Sequence, residues 1–419
     1  MNYDLITKSE RIRLRELAMR QQEIASLPVM NERLEQWRAL NTGRPAKPPV
    51  ILETWTFDQE FIPENGVLES LSPVARQIER QLLINIRNHE LIDDDKIIPP
   101  YYEIPWQTQT DKYGLELEIA HADEPGIAYQ YKHPVTDIER DFHKILPSTF
   151  RFFKEETLRQ KKFIEDLIGD IIPVIVTGHP ETLCLTQNFI HLMGMESFYF
   201  AMIDHPDIIH MLLRQFTDDF IRISEVRGAN GLLTFGNRSD HIISSHTITG
   251  EPADPGPTRT VDLTDSWAWV ESQETSAIAP QMFEEFFLSY YAEACSHMGH
   301  IYYGCCEPVH PVYELLLSRI PNIRKFSISK WCDEEKMGEA LRGSGIVYSR
   351  KPDPTFVGIG GPVLDTEGWR DHIIKTLSAA KGCQLEFIIR DVYTCCGNLG
   401  KAKHAVEIAR EQIDRWWNR

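Results

Sequence analysis

Hydrophobic positions along the chain fall into two kinds of run that alternate. At the N-terminus, "SERIRLRELAMRQQEIASL" (9–27) and "NERLEQWRALNTG" (31–43) carry apolar residues at helical spacing, with Ser9 and Asn31 as caps and Gly43 as a stop. Beyond them, short β-branched and aromatic runs fall at 48–55, 97–106, 171–178, 265–274, 300–307, 323–329, 345–354 and 384–394. Amphipathic stretches separate the later runs. In 205–227, for instance, Ile209, Leu212, Leu213, Phe216, Phe220 and Ile223 share one helical face, and Asp333 and Asp365 cap two further helices. Eight strands alternating with helices predict a (β/α)8 TIM barrel over residues 48–419, preceded by a helical N-terminal extension over 1–47. The Gly-, Pro-, Ser- and Thr-rich segment 228–265 is too long for an ordinary connection and reads as an inserted loop of the lid, binding-loop or disordered kind.

In such barrels the working residues stand at the carboxyl ends of the strands. Those ends hold Glu53 and Trp55, Glu103, His179, Glu271 to Glu274, Cys305 to Glu307, Lys330 to Asp333, Arg350 and Lys351, and Asp391 to Cys396, a set dense in thiols and carboxylates. Strand alternation puts Glu271 and Glu274 on opposite faces unless the strand has ended by Gln273, and Glu274, where the chain turns into its loop, is preferred as the one facing the site. The same alternation sends Cys305 toward core packing and Cys306 toward the barrel mouth beside Glu307. Lys351 and Asp391 read either as an ion pair across neighbouring strands or as groups that orient a substrate oxygen and relay a proton. The histidines of "DHIISSHT" (240–247) fit no compact ligand spacing and read as solvated loop residues.

Composition narrows the function. Among 419 residues, 42% are hydrophobic and 25% charged, as in ordinary globular chains, and the formal net charge of −18 disfavours a nucleic-acid partner, whose phosphates need clustered Lys and Arg. The first thirty residues lack an apolar signal core, and no run approaches the ~18 apolar residues of a membrane span, so no membrane association and a cytoplasmic location are expected. Eight cysteines in that setting read as reduced thiols.

Three stretches, "LMGMESFYFAMIDHPDIIHMLLRQFTD", "YYGCCEP" and "SRKPDP", resemble the uroporphyrinogen decarboxylase superfamily, which includes zinc- and corrinoid-dependent methyltransferases. True porphyrinogen decarboxylases have an Arg-rich motif near the first strand. "PVILETWTFDQEF" has no arginine and two acidic residues close to the strand end, so that substrate is not expected. The methyltransferase branch places zinc on a His-x-Cys pair after strand five and a Cys after strand eight. Gly304 and Cys306 occupy the first two positions, and Cys396 matches the third.

The resemblance therefore implies a zinc- and cobalamin-dependent methyltransferase. It would move a methyl group between a small methylated substrate, such as a methyl ether or methylamine, and a corrinoid. The chain contains no Asp-x-His-x-x-Gly corrinoid motif, so the corrinoid is expected on a partner protein. Cys306, Glu307 and Cys396 are the expected zinc ligands, and Glu274, Glu307, Lys351 and Asp391 the expected catalytic groups. A second copy of the chain, as a homodimer, is the other expected partner. The alternative is a metal-free decarboxylase or lyase of the same superfamily acting on a small acid, with the carboxylates and Lys351 handling protons.

Overall fold

A computed structural model of the chain describes residues 6–121, 129–178, 180–236 and 260–417. The expected His179 and the histidines at 240 to 247 lie outside the described residues, as does most of the 228–265 insert.

All eight expected strands form, each shorter than its apolar run. In chain order with the strands the sequence did not announce, they are β1 (Val50–Leu52), β2 (Tyr102–Pro105), β3 (Thr108–Asp111), β4 (Glu118–His121), β5 (Tyr129–Lys132), β6 (Thr149–Phe152), β7 (Val174–Thr177), β8 (Glu181–Leu183), β9 (Trp267–Val270), β10 (His300–Tyr303), β11 (Ile323–Ile328), β12 (Val347–Arg350) and β13 (Gln384–Ile389). Seven of them make one parallel sheet in the order β1-β13-β12-β11-β10-β9-β8, while β2 pairs in parallel with β7. Two antiparallel pairs, β3–β6 and β4–β5, lie between β2 and β7 in the chain. The arrangement is barrel-like, but the ladder is interrupted on either side of the β2–β7 pair, so a continuously hydrogen-bonded barrel is not what forms.

At one break the gap is bridged by side chains. Asp95 Oδ2 accepts from Val50 N at 2.7 Å and Asp94 Oδ2 from Leu52 N at 2.7 Å, while Asp95 N donates to Val50 O at 2.9 Å. These carboxylates satisfy backbone donors of β1 that a neighbouring strand would otherwise take. At the other break, β8 pairs with β9 in the register Glu181↔Ala268.

The two N-terminal helices are α1 (Lys8–Ala25) and α2 (Pro28–Asn41). Thr7, not Ser9, caps α1 in a capping box with Glu10, and α2 starts at Pro28 with Asn31 already inside it. Trp37 of α2 is fully buried against Ile51, Trp267, Tyr302, Val347 and Ile388, which come from five strands of the parallel sheet. The cluster closes one end of the sheet's interior. No helix among the described residues is long and apolar enough to cross a membrane.

Candidate active site

β10 ends at Tyr303, and Gly304 follows with φ of +102°, a backbone conformation that L side chains rarely adopt. A Cβ there would meet Ser327 Cβ at 2.9 Å and Val309 Cγ1 at 3.0 Å. The chain turns at this glycine, and strand alternation ends with it. Cys305 therefore does not turn away into outer packing, as alternation predicted. Its Sγ lies 3.7 Å from that of Cys306 and 3.8 Å from Arg390 Nη1.

Glu307 anchors this corner. Its Oε1 accepts from Ser272 N at 3.0 Å and its Oε2 from Cys305 N at 2.7 Å, which ties the β10 turn to the turn after β9. Lys351, buried after β12, donates to Cys305 O at 3.1 Å and sits 5.1 Å above the Tyr302 ring. Arg390, at the end of β13, pairs with Glu53 Oε2 at 3.5 Å and with Asp391 Oδ2 at 3.4 Å, and Asp391 Oδ2 is 3.9 Å from Cys306 Sγ. Lys351 and Asp391 thus serve different partners and do not form the cross-strand pair.

A second group of carboxyls follows β9. Glu274 Oε2 accepts from Thr186 Oγ1 at 2.7 Å, and Glu271 Oε2 accepts from Gln273 N at 3.0 Å. Both are nearly inaccessible to solvent. Burial, with Glu274 and Glu307 close by, pushes the Glu271 carboxyl well above the usual carboxylate range; burial also raises that of Glu274. Among the thiols the directions split. Cys306 is lowered by its hydrogen bond with Cys305 and by the Lys351 and Arg390 charges, whereas Cys305 is pushed up by the same hydrogen bond and by burial. Burial in turn lowers the Lys351 ammonium.

A cavity of about 650 Å³ opens over this floor, lined by Met195, Gln273, Glu274, Cys306, Glu307 and Trp331 among others. A larger one of about 840 Å³ between Asp58 and Arg80 contains none of the thiols or strand-end groups above. Chemistry, not volume, selects the smaller.

Sequence reasoning missed Arg390, although a charged residue that ends the apolar run "EFIIR" is the signal that could have found it. Arg350 and Lys330, by contrast, face elsewhere. Arg350 pairs with Glu334 at 3.0 Å, and Lys330 with Asp353 at 3.4 Å.

The expected zinc donors are not gathered. Both Glu307 oxygens are taken by backbone N–H groups, and Cys396 is exposed, with its Sγ 3.6 Å from Gly358 O. Among the described residues no group of three or more His, Cys, Asp or Glu side chains is placed to hold a metal ion. The donor set as arranged does not fit zinc, which takes four ligands or three plus a water.

Neither a protein-family model nor a curated protein matches this sequence. Among solved structures, the chain is similar to a protein described as a methyltransferase from Methanosarcina mazei, with a TM-score of 0.50 and 14% identity over 92% of this chain and 99% of that one. At that identity the likeness establishes a shared fold across nearly the whole length of both chains.

Proposed function

We propose that the chain is a methyltransferase that demethylates a small methyl ether or methylamine and passes the methyl group to a corrinoid carried by a separate protein. The observation that supports this most is Cys306. Its thiol lines an open cavity at the carboxyl end of a central strand, and Lys351 and Arg390 stabilise its anionic form. The shared fold with a protein described as a methyltransferase agrees with it.

The corrinoid, when docked, supplies the nucleophile that takes the methyl group. This chain's residues do the rest. When the methyl leaves, the heteroatom it leaves behind gains an electron pair and needs a proton. Glu274, on the cavity wall with its carboxyl pKa raised by burial, supplies that proton. Asp391, beside Cys306, orients a substrate N–H or O–H. Lys351 and Glu307 hold the Cys305–Cys306 turn, through the Cys305 carbonyl and amide respectively. No step runs through zinc.

The test is conversion of cob(I)alamin to methylcob(III)alamin, followed by absorbance, with a panel of methyl ethers and methylamines. Glu274→Gln should lower kcat by about 10²–10⁴-fold, the range for loss of a general acid. Absence of methyl transfer with every donor, to free cobalamin and to corrinoid proteins alike, would overturn the reading. A second reading is favoured by the two cations in the floor: Arg390 and Lys351 could hold a small carboxylate while Glu274 protonates the carbon that loses CO₂. Carbon dioxide release without methyl transfer would select it.

A further inference from the structure

The structure assigns a second chemistry to the floor of this cavity: we infer that Cys305 and Cys306 form a two-thiol clamp for a trivalent organoarsenical. The inference rests on geometry and stands apart from methyl transfer.

Beyond the hydrogen bond they share, two adjacent thiols can bond each other, hold a metal cation, or bridge a neutral thiophilic atom. Cα atoms joined by a trans peptide are about 3.8 Å apart, whereas disulfides want about 4.4–6.8 Å, so a Cys305–Cys306 disulfide would be strained. The observed Sγ–Sγ separation is 3.7 Å, far from the roughly 2.05 Å of a bonded pair. The two thiols are in S–H···S contact, so a single atom bonded to both requires their sulfurs to close by only a few tenths of an ångström.

The surroundings then choose the bridging atom. A divalent cation would need further anionic ligands and would face two positive groups, Arg390 at 3.8 Å from Cys305 Sγ and Lys351 on the Cys305 carbonyl. Asp391, whose Oδ2 is 3.9 Å from Cys306 Sγ, already pairs with Arg390. A trivalent organoarsenical has neither requirement. It uses two thiols and carries no charge once bound. Cys306, half-buried on the cavity wall, adds its sulfur to arsenic first, and buried Cys305 follows. Both thiol protons leave on the arsenic oxygen as water, arsenic stays trivalent, and no electron is transferred.

The chain carries its own control. Cys395 and Cys396 are also adjacent, but Cys395 is buried with its N–H on Glu60, while Cys396 is exposed and turned toward Gly358. The test is titration of the full chain with phenylarsine oxide, read by intact mass and peptide mapping. One equivalent should bind at Cys305 and Cys306, survive excess monothiol, and be removed by a dithiol such as dimercaptopropanol. Cys306→Ser and Cys305→Ser should each lose the monothiol-resistant adduct, and Cys396→Ser should keep it. Should Cys305→Ser fail to fold, Cys306→Ser, at the half-buried position, decides alone. A monothiol-resistant adduct that survives Cys306→Ser, that maps to Cys395 and Cys396, or that never forms on the folded wild type would overturn the inference.

Discussion

Glu271 shows how one buried residue can leave a pH signature on the whole protein. Its carboxyl is 1% exposed, Cys184 and the Gln273 amide are its hydrogen-bond partners, and its pKa lies well above the ordinary value of about 4.3. Below that ordinary value both the folded and the unfolded chain hold the proton, and the stabilisation is fully present. Above it the unfolded chain ionises while the folded chain keeps its proton, so stability is lost as pH rises toward the folded pKa. Glu271→Gln replaces the carboxyl with a neutral group of the same shape and removes that loss. The Tm of the variant relative to wild type should therefore climb across the window that opens at about pH 4.3 and runs upward. A constant difference across that window would mean that Glu271 ionises in the folded protein. Glu274 is raised by the same burial, the direction a proton donor requires.

At the scale of elements, Gly304 and the end of β13 explain what the sequence could and could not show. The eight strands were legible because each is an apolar β-branched or aromatic run that ends at a polar or glycine position. β3 was not, since all four of its residues are exposed and carry no apolar alternation, and β8 is only three residues long. The strand ends were legible as places but not as geometry. Alternation separates Cys305 from Cys306 only while the strand continues, and the left-handed Gly304 stops it one residue earlier. After β13, Asp391, Tyr393 and Cys396 all have positive φ, so no strand rule could say which way the 395–396 thiols point. Gly304 also stands where the resemblance expects a zinc-binding histidine, and the fold gives a reason for the glycine: neither the backbone angle nor the space beside Ser327 and Val309 admits a side chain. Gly304→Ala should cost about 2–4 kcal/mol, from the left-handed angle together with overpacking, read as a lower urea midpoint with unchanged slope. A variant as stable as wild type would show that the turn can relax and that position 304 admits a side chain.

For the molecule as a whole, the N-terminal helices are part of the sheet's interior as well as an addition to its outside. Trp37 of α2 donates to Asp95 O at 2.8 Å, and Arg410, from the helix Leu399–Trp416, reaches Asp95 Oδ1 at 2.6 Å, so both ends of the chain meet at one acid beside β1. Above Trp37, Lys325 Nζ lies 5.3 Å from its ring and 2.7 Å from Glu386 Oε2, with lysine and glutamate both fully buried. Ser349 donates to Glu386 Oε1 at 2.6 Å, and Tyr302 donates to Ser349 at 3.0 Å, which brings the polar chain under the ring that carries Lys351. Removing one partner of a buried pair leaves the other charge uncompensated, so Glu386→Gln should cost about 3–5 kcal/mol. Trp37→Ala should cost a similar amount, about 3–5 kcal/mol, through lost burial. The two should not add. Once Trp37 is gone, water can reach Lys325 from the open end and solvate it, so losing Glu386 then leaves a less isolated charge. Urea unfolding of the two single variants, the double variant and wild type measures this directly, and the double variant should be more stable than additivity predicts by about 0.5–3 kcal/mol. Strict additivity would show that Trp37 only fills space and does not shield the ion pair beneath the site.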